Sequence, residues 1–413
     1  MSNIDLPFDI ESLEILSQTI DSSGNIVLEV CSKKEHSTCH KCGKPATIRY
    51  GTAPGIRIQH TSILDKPVYL KIVPIRYRCE HCDDKTITTE QYDWCDRNAK
   101  VSHALESYIL RNLVNSTVQD VCIKSGISYK TIVRLLDRRV GATVDWELYK
   151  SLPTLGIDEI SMKKGHDDFV TIISTKQING DVSVLSVLDG RQKAEILMFF
   201  NSIPEHLRKT VKQVCTDMYE GYVNAAIEAF GQQSVVIDRY HVAKGYRKPL
   251  DELRIKEMKR LKSILTDEHY AQLKGMMWIV RKNYECLNAD DKAKLALLYK
   301  YSPELKKAHS YALKLTHVFN THQSRKSGIA KLERWIKAVK KSDLTCFNVF
   351  IATLEKHIAS IANYFKNRSN SGFVEGMNNK IKVAKRRCYG FFKISSLFQR
   401  LQLDFQGAAQ FAA

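Results

Sequence analysis

The stretch Thr154-Leu155-Gly156-Ile157-Asp158-Glu159-Ile160-Ser161 decides the fold. Apolar residues recur at Leu155, Ile157 and Ile160 behind the break Leu152-Pro153, which is the pattern of a strand. Asp158 therefore sits inside a strand, where a carboxylate is costly unless something pairs with it or binds it. Two more extended segments follow, Phe169 to Ser174 and Val182 to Leu188, separated by the turn Ile178-Asn179-Gly180-Asp181. A helical run, Gln192 to Asn201, precedes a fourth strand, Val211 to Thr216, which ends on Asp217. The order is three strands in a meander, a helix and a strand, with one aspartate on the first strand and another closing the fourth.

That order predicts a ribonuclease-H-like core within a multidomain α/β chain, a mixed sheet on which carboxylates gather to hold divalent metal. A plainer reading makes Asp158 a strand-edge residue and Asp217 the N-cap of a helix starting near Tyr219. Two residues alone do not choose between these, so the rest of the chain has to.

The 413 residues are enough for two to four domains. Lys and Arg outnumber Asp and Glu by 63 to 45, a net charge of +18, which favours a polyanionic partner such as nucleic acid. The start Met1-Ser2-Asn3-Ile4-Asp5 lacks the basic and apolar regions of a signal peptide, and no apolar run approaches a membrane span. The expectation is a cytoplasmic protein whose eleven cysteines are thiols or metal ligands.

Residues 1 to 30 read as a short acidic helical piece followed by a strand from Asn25 to Val30. Cys39-His40-Lys41-Cys42 and Cys79-Glu80-His81-Cys82 then form two Cys-x-x-Cys knuckles. Four thiolates suit tetrahedral structural Zn²⁺. Strands between the knuckles (Thr47 to Tyr50, Arg57 to His60, Val68 to Tyr77) would seat each at a hairpin turn, as in a zinc ribbon. Two unrelated thiol pairs, or redox motifs, are the competing reading, and His81 and Cys95 are alternative ligands.

Between Ala99 and Val140 the pattern turns helical. A helix from Val118 to Lys124, a turn at Ser125-Gly126-Ile127 and a second helix from Tyr129 to Arg138, capped by Ser128, fit a helix-turn-helix. Its groove-facing residues would be Ser128, Tyr129, Lys130 and Thr131, with Arg134 and Arg138 set for phosphates. An ordinary helical hairpin used for packing is the alternative.

After Asp217, a helix over Gly221 to Phe230 and a fifth strand from Ser234 to Ile237 lead to Asp238-Arg239-Tyr240-His241. From Lys244 to about Phe365 the pattern is helical throughout, with stripes such as Leu250/Leu253/Met258/Leu261 and Leu332/Trp335/Ile336/Val339. This reads as an all-helical insertion. Asn370-Ser371-Gly372 ends it, and Phe373-Val374-Glu375-Gly376-Met377-Asn378-Asn379-Lys380-Ile381-Lys382 opens a new helix. Residues 380 to 400 carry Lys380, Lys382, Lys385, Arg386, Arg387, Lys393 and Arg400 and no acid. One glutamate before so basic a helix suits a metal carboxylate beside a DNA-tracking surface, although Glu375 alone would also serve the helix dipole.

On these residues the chain resembles the DDE transposases of bacterial insertion sequences of the ISL-three type. The resemblance runs through the two knuckles, the helix-turn-helix, Gly156-Ile157-Asp158-Glu159, Thr216-Asp217-Met218 and Asp238-Arg239-Tyr240-His241. It is most specific in Glu375 to Lys382, followed by Lys385-Arg386-Arg387 and Tyr389-Gly390-Phe391. It departs slightly at Ser371-Gly372, where a more Thr-Asn-Gly-like lead-in is expected, and in the His40-Lys41 filling of the first knuckle. The resemblance implies that Asp158, Asp217 and Glu375 are the catalytic residues.

Such a triad would hold Mg²⁺ or Mn²⁺ through oxygen while leaving positions for water and phosphate, with Asp238 and His241 in supporting roles. The implied partner is double-stranded DNA, both the terminal inverted repeats of the element and the target, and two ends to be joined imply at least a homodimer on DNA. The expected domains are a zinc ribbon (1–98), a helix-turn-helix (99–150), the first part of the core (151–243), the helical insertion (244–365) and the C-terminal core helix with its basic face (366–413). The rival from another class is a non-catalytic DNA-binding regulator built from the ribbon and helix-turn-helix. It leaves carboxylates on successive core elements unexplained.

Overall fold

The computed structural model describes residues 8–162, 169–282, 284–368, 372–388 and 393–411. The expected lead-in Asn370-Ser371 and the motif Tyr389-Gly390-Phe391 lie outside them. The chain divides into two compact units, Met1–Val140 with Gln406–Ala413, and Gly141–Phe405.

Among the described residues the first unit opens with nine strands: β1 (Leu13–Ile20), β2 (Ile26–Ser32), β3 (Ser37–Thr38), β4 (Pro45–Ala46), β5 (Ile48–Thr52), β6 (Ile56–Ile63), β7 (Lys66–Ile72), β8 (Ile75–Arg78) and β9 (Ile87–Thr89). They form sheets of order β1-β2-β7-β6 and β5-β8-β9 and the small pair β3-β4. The opening piece expected to be helical is strand β1. It pairs antiparallel with β2, and Ile15, Leu16 and Ile20 stay exposed, so no apolar helical face forms and strand pairing decides its state. The expected single strand from Val68 to Tyr77 is split between two sheets at Pro74, which has no amide hydrogen to give a ladder. Val30, Ile58, Val68, Leu70 and Ile72 build the core beneath the four-stranded sheet.

Three helices follow, α1 (His103–Leu113), α2 (Val118–Ser125) and α3 (Tyr129–Arg139). Thr117 and Asp120 cap α2 reciprocally, Gly126 ends it at φ 68°, and the Ser128 hydroxyl accepts from the Thr131 amide to start α3. Val121, Ile127, Ile132 and Leu135 are buried, as their spacing requires.

The second unit is built on β10 (Thr154–Ser161), β11 (Phe169–Lys176), β12 (Val182–Asp189), β13 (Gln213–Thr216) and β14 (Val235–Ile237). Their order is β12-β11-β10-β13-β14. The first three strands are antiparallel, while β13 runs parallel to β10 and β14 parallel to β13. Helices α4 (Lys193–Ser202), α5 (Glu205–Arg208) and α6 (Glu220–Phe230) connect them. Helix α7 (Arg239–Ile264) starts directly after β14 because the Asp238 carboxylate caps it, and its helical pattern therefore precedes Lys244. Then come α8 (Asp267–Ala271), α9 (Met276–Arg281), α10 (Ala289–Tyr301), α11 (Pro303–Asn320), α12 (Arg325–Lys340), α13 (Asn348–Ala362) and α14 (Tyr364–Asn367), with no strand among the described residues. The apolar stripes of this segment share one core with the sheet, from Leu155 through Leu315 and Trp335 to Phe365.

Alternation along β10 sorts its residues between two faces. Leu155 and Ile157 enter that large core, while Ile160 packs with Met377 and Ile381 of α15 (Gly372–Arg387) and with Leu397 and Leu401 of α16 (Ile394–Gln410). The expected basic helix over 380–400 is thus two helices.

Candidate functional site

The register of the parallel strands sets the site. Gly156 of β10 lies opposite Cys215 of β13. Two residues further on in the same register come Asp158, inside β10, and Asp217, one place past the carboxyl end of β13. Likewise Thr216 is opposite Ile237, so Asp238 takes the next place in the row. Ligand sites of open α/β sheets form at such strand ends, where the chain leaves the sheet.

The carboxylates differ in their bonds. Asp158 accepts through Oδ1 from the Glu159 amide at 2.8 Å and through Oδ2 from the Asn378 side-chain amide at 2.6 Å. Asp217 accepts from the Tyr219 amide at 2.8 Å. Burial pushes both carboxyls up from the ordinary aspartate range. The charge of Asp217 adds to this at Asp158, and that of Glu159 at Asp217, while a protonated His241 favours ionisation of both. His241 lies in the first turn of α7, three residues after Asp238. Asp238 is buried and accepts from the Tyr240 amide at 3.1 Å as the cap of α7. Glu159 pairs instead with Arg191 at 3.4 Å, and that guanidinium lies 4.9 Å from the centre of the Tyr219 ring.

Helix α15 closes this face of the sheet. A Cβ at Gly156 would lie 2.5 Å from Val374 Cγ2 and 2.9 Å from Phe373 Cζ, so only glycine lets the helix approach β10 this closely. Val374, Met377, Asn378, Ile381 and Ala384 are its buried residues. Glu375 is exposed in the first turn, three residues before Asn378, on the flank of the face that meets Asp158. No hydrogen bond joins Glu375 to either aspartate. Asn378 lies within the Glu375 to Lys382 motif, and its spacing from Glu375 is the only signal of a role that the sequence carries. Arg191 carried no such signal.

Asp158 and Asp217 offer oxygen donors of the kind a hard divalent cation takes, whereas Asp158, Asp217 and Glu375 together do not come within the 4.8 Å that the knuckle cysteines reach. The donors are all oxygen, two of the carboxyls are raised by burial, and the Asn378 Oδ1 and Thr216 Oγ1 atoms are buried without a hydrogen-bond partner.

The basic residues are less free than their sequence implies. Lys380 donates to the Asp404 carbonyl at 2.8 Å, and burial pulls its ammonium down from the usual lysine value. Lys385 donates to the Ser161 carbonyl, and Arg387 pairs with the buried Asp404 carboxylate. Lys382 and Arg386 remain exposed, whereas Arg400 is buried. In the first unit Ser128, Tyr129, Lys130 and Arg134 are exposed and Thr131 is half-buried. Arg138, expected to meet phosphate, is bound to Asp96 at 3.0 Å and to the buried Glu106.

The four knuckle cysteines come together. Cys39 and Cys82 sulfurs are 3.9 Å apart and Cys42 and Cys79 sulfurs 3.6 Å apart, with all four within 4.8 Å of one another. Tetrahedral bonds of about 2.3 Å to zinc require sulfur separations of about 3.8 Å, so the donor set fits that ion. Backbone amides of Cys42 and Lys41 pull the Cys39 thiol down to about 7, while burial pushes Cys82 up to about 12. His81 and Cys95 lie outside this cluster; Cys95 is buried in the core of the four-stranded sheet.

A family described as transposase matches residues 155–401, which take in the sheet from the second residue of β10 onward and all three of Asp158, Asp217 and Glu375. The chain belongs to the DDE transposase family of the ISL-three type. It is 24% identical over 374 residues to the transposase for insertion sequence element IS1001 of Bordetella parapertussis, covering 90% of this chain and 89% of that one. It is 22% identical over 390 residues to the transposase for IS1557 of Mycobacterium tuberculosis, covering 89% and 86%.

Proposed function

We propose that the protein binds the ends of its insertion sequence and catalyses metal-dependent cleavage and transfer of DNA strands. The observation that carries this reading is the strand register that sets Asp158 beside Asp217, under the helix that bears Glu375. The sheet order, with three antiparallel strands followed by two parallel ones, supports a ribonuclease-H-like core over 151–243 and 366–413, interrupted by the insertion 244–365.

In the first step water displaces the 3′ oxygen of one strand from phosphorus, leaving a 3′-hydroxyl and a 5′-phosphate. That hydroxyl then attacks a target phosphodiester in line and displaces its 3′ oxygen, joining element to target with no bond between protein and DNA. Asp158, Asp217 and Glu375 would hold Mg²⁺ or Mn²⁺, which supplies activation of the attacking oxygen and stabilisation of the leaving one. Asn378 holds the Asp158 carboxylate in one orientation from outside, as outer partners do for ligands. His241 and Asp238 support the two strand ends.

In the N-terminal half, Cys39, Cys42, Cys79 and Cys82 hold structural Zn²⁺ in a ribbon over 1–98. Ser128, Tyr129, Lys130 and Thr131 read the major groove from a helix-turn-helix over 99–150, with Arg134 on phosphate. Lys382 and Arg386 are the residues of α15 best placed to track DNA, since both are exposed. A dimer or larger assembly on DNA would bring two ends together.

The test supplies labelled element ends, a target plasmid and Mg²⁺. Joined products that vanish with a chelator are expected. End binding with no cut or joined product would make the protein a DNA-binding regulator instead.

A further inference from the structure

A cavity of about 570 Å³ opens between α7, α9 and α11 in the helical segment. The carboxylate site does not use it. Its volume falls in the roughly 300–1,000 Å³ range of small-ligand sites and is far too small for a base pair with its two backbones. The floor is apolar, with Leu250, Val280 and Ala312 buried. His309 also lines it. That imidazole is buried, sits 2.6 Å from the Tyr299 hydroxyl, and is pulled down to about 4 by burial, so it is neutral near pH 7.

The rim is cationic. The two lining acids are already engaged, Asp251 with Arg254 at 2.8 Å and Arg281 at 2.6 Å, and Glu252 with Lys248 at 3.9 Å. Lys244 and Arg247 are exposed and make no ion pair among the described residues. An uncharged floor beneath two unpaired cations suits a planar aromatic group that carries phosphate. At the mouth stands Tyr240, exposed and aromatic.

The position narrows the ligand further. Tyr240 follows by two residues Asp238, which takes the place beside Asp217 in the strand row. From Tyr240 to Arg247 the helix rises about 10 Å, at roughly 1.5 Å per residue. That corresponds to about three nucleotides of a duplex strand, at roughly 3.4 Å each.

We propose that this cavity takes one unpaired nucleotide of the strand being cut, a few positions from the scissile phosphate. The base leaves the stack, rests against Tyr240 and the apolar floor, and its phosphates meet Lys244 and Arg247. Holding one base in this way fixes the register of the strand across the carboxylates. The proposal rests on the reading of the protein as a DNA-cutting transposase.

The experiment uses the full chain at saturating concentration on element-end duplexes, with Ca²⁺ in place of Mg²⁺ and 2-aminopurine placed in turn at each nucleotide flanking the cut. One position should brighten several-fold, and the signal should be lost in Tyr240→Ala and in the double variant Lys244→Glu/Arg247→Glu. Because these three side chains are exposed, their replacement does not empty the core. An abasic nucleotide at the bright position should raise the cleavage rate of Tyr240→Ala, because no base then has to be unstacked. The proposal is overturned if the wild type cuts element ends while no position brightens, or if the variants brighten as the wild type does. A fluorescent free nucleotide that occupies the cavity and is not displaced by element-end DNA would also overturn it, in favour of a small-molecule site. A wild type that neither binds nor cuts element ends would overturn the function itself, and the assignment with it.

Discussion

Gly156 and Asn378 fix how closely the Glu375 helix meets the first aspartate, and each yields a prediction. Gly156→Ala puts a methyl group 2.5 Å from Val374, so the helix must move. Overpacking of this kind costs roughly 1–3 kcal/mol, read as a lower urea midpoint, and strand cleavage should slow with it. Unchanged stability and rate would mean that α15 is not seated on β10. Asn378→Ala removes the 2.6 Å bond to Asp158 and should lower cleavage about 10- to 100-fold, with partial recovery at higher Mn²⁺. A purely structural role would show no metal dependence. The aspartates themselves were legible, because an acid inside an apolar strand and another at the end of the next parallel strand are visible in one dimension. Asn378 was not, since its partner lies 220 residues away and only packing brings the two together. Lys385 and Arg387 misled for the same reason: a run of cations reads as a surface until Ser161 and Asp404 are seen beneath it.

At the level of elements, the two knuckles and the capped helix pair were written in the sequence by short-range chemistry. Sulfur spacing, Gly126 and the Ser128 cap each act within a few residues. Strand β1 is not legible in this way, because its pairing with β2, and no periodicity of its own, determines it. The knuckles predict one zinc per chain by elemental analysis, lost in Cys39→Ser. Structural zinc contributes about 10–16 kcal/mol in small modules, so limited proteolysis should then open the segment around β3 to β9 while the second unit stays resistant. Zinc retained by Cys39→Ser would contradict the four-thiolate set. The helix pair predicts a division of labour. Tyr129→Ala/Lys130→Ala should relax preference for the element's own ends, while Lys382→Ala/Arg386→Ala should weaken binding to all sequences and flatten its salt dependence. Identical binding profiles for the two variants would remove the distinction.

Across the whole molecule, the net charge of +18 favours a polyanionic partner, and the long helical segment separates Glu375 from the two aspartates in sequence. Helical content from Lys244 onward was plain from the apolar stripes, whereas the cavity between α7, α9 and α11 was not, because no one-dimensional pattern encodes a gap between helices. We propose that Asp158, Asp217 and Glu375 make one metal centre, with Glu375 its critical member, being exposed on the flank of α15 and bonded to neither aspartate. The most direct test measures cutting of end-labelled element DNA by Glu375→Gln and Asp217→Asn in Mn²⁺, alongside Mn²⁺ binding by electron paramagnetic resonance. Both variants should bind the DNA end, lose high-affinity Mn²⁺ and fall below detectable cleavage. Glu375→Gln cutting at the wild-type rate with its Mn²⁺ retained would contradict it.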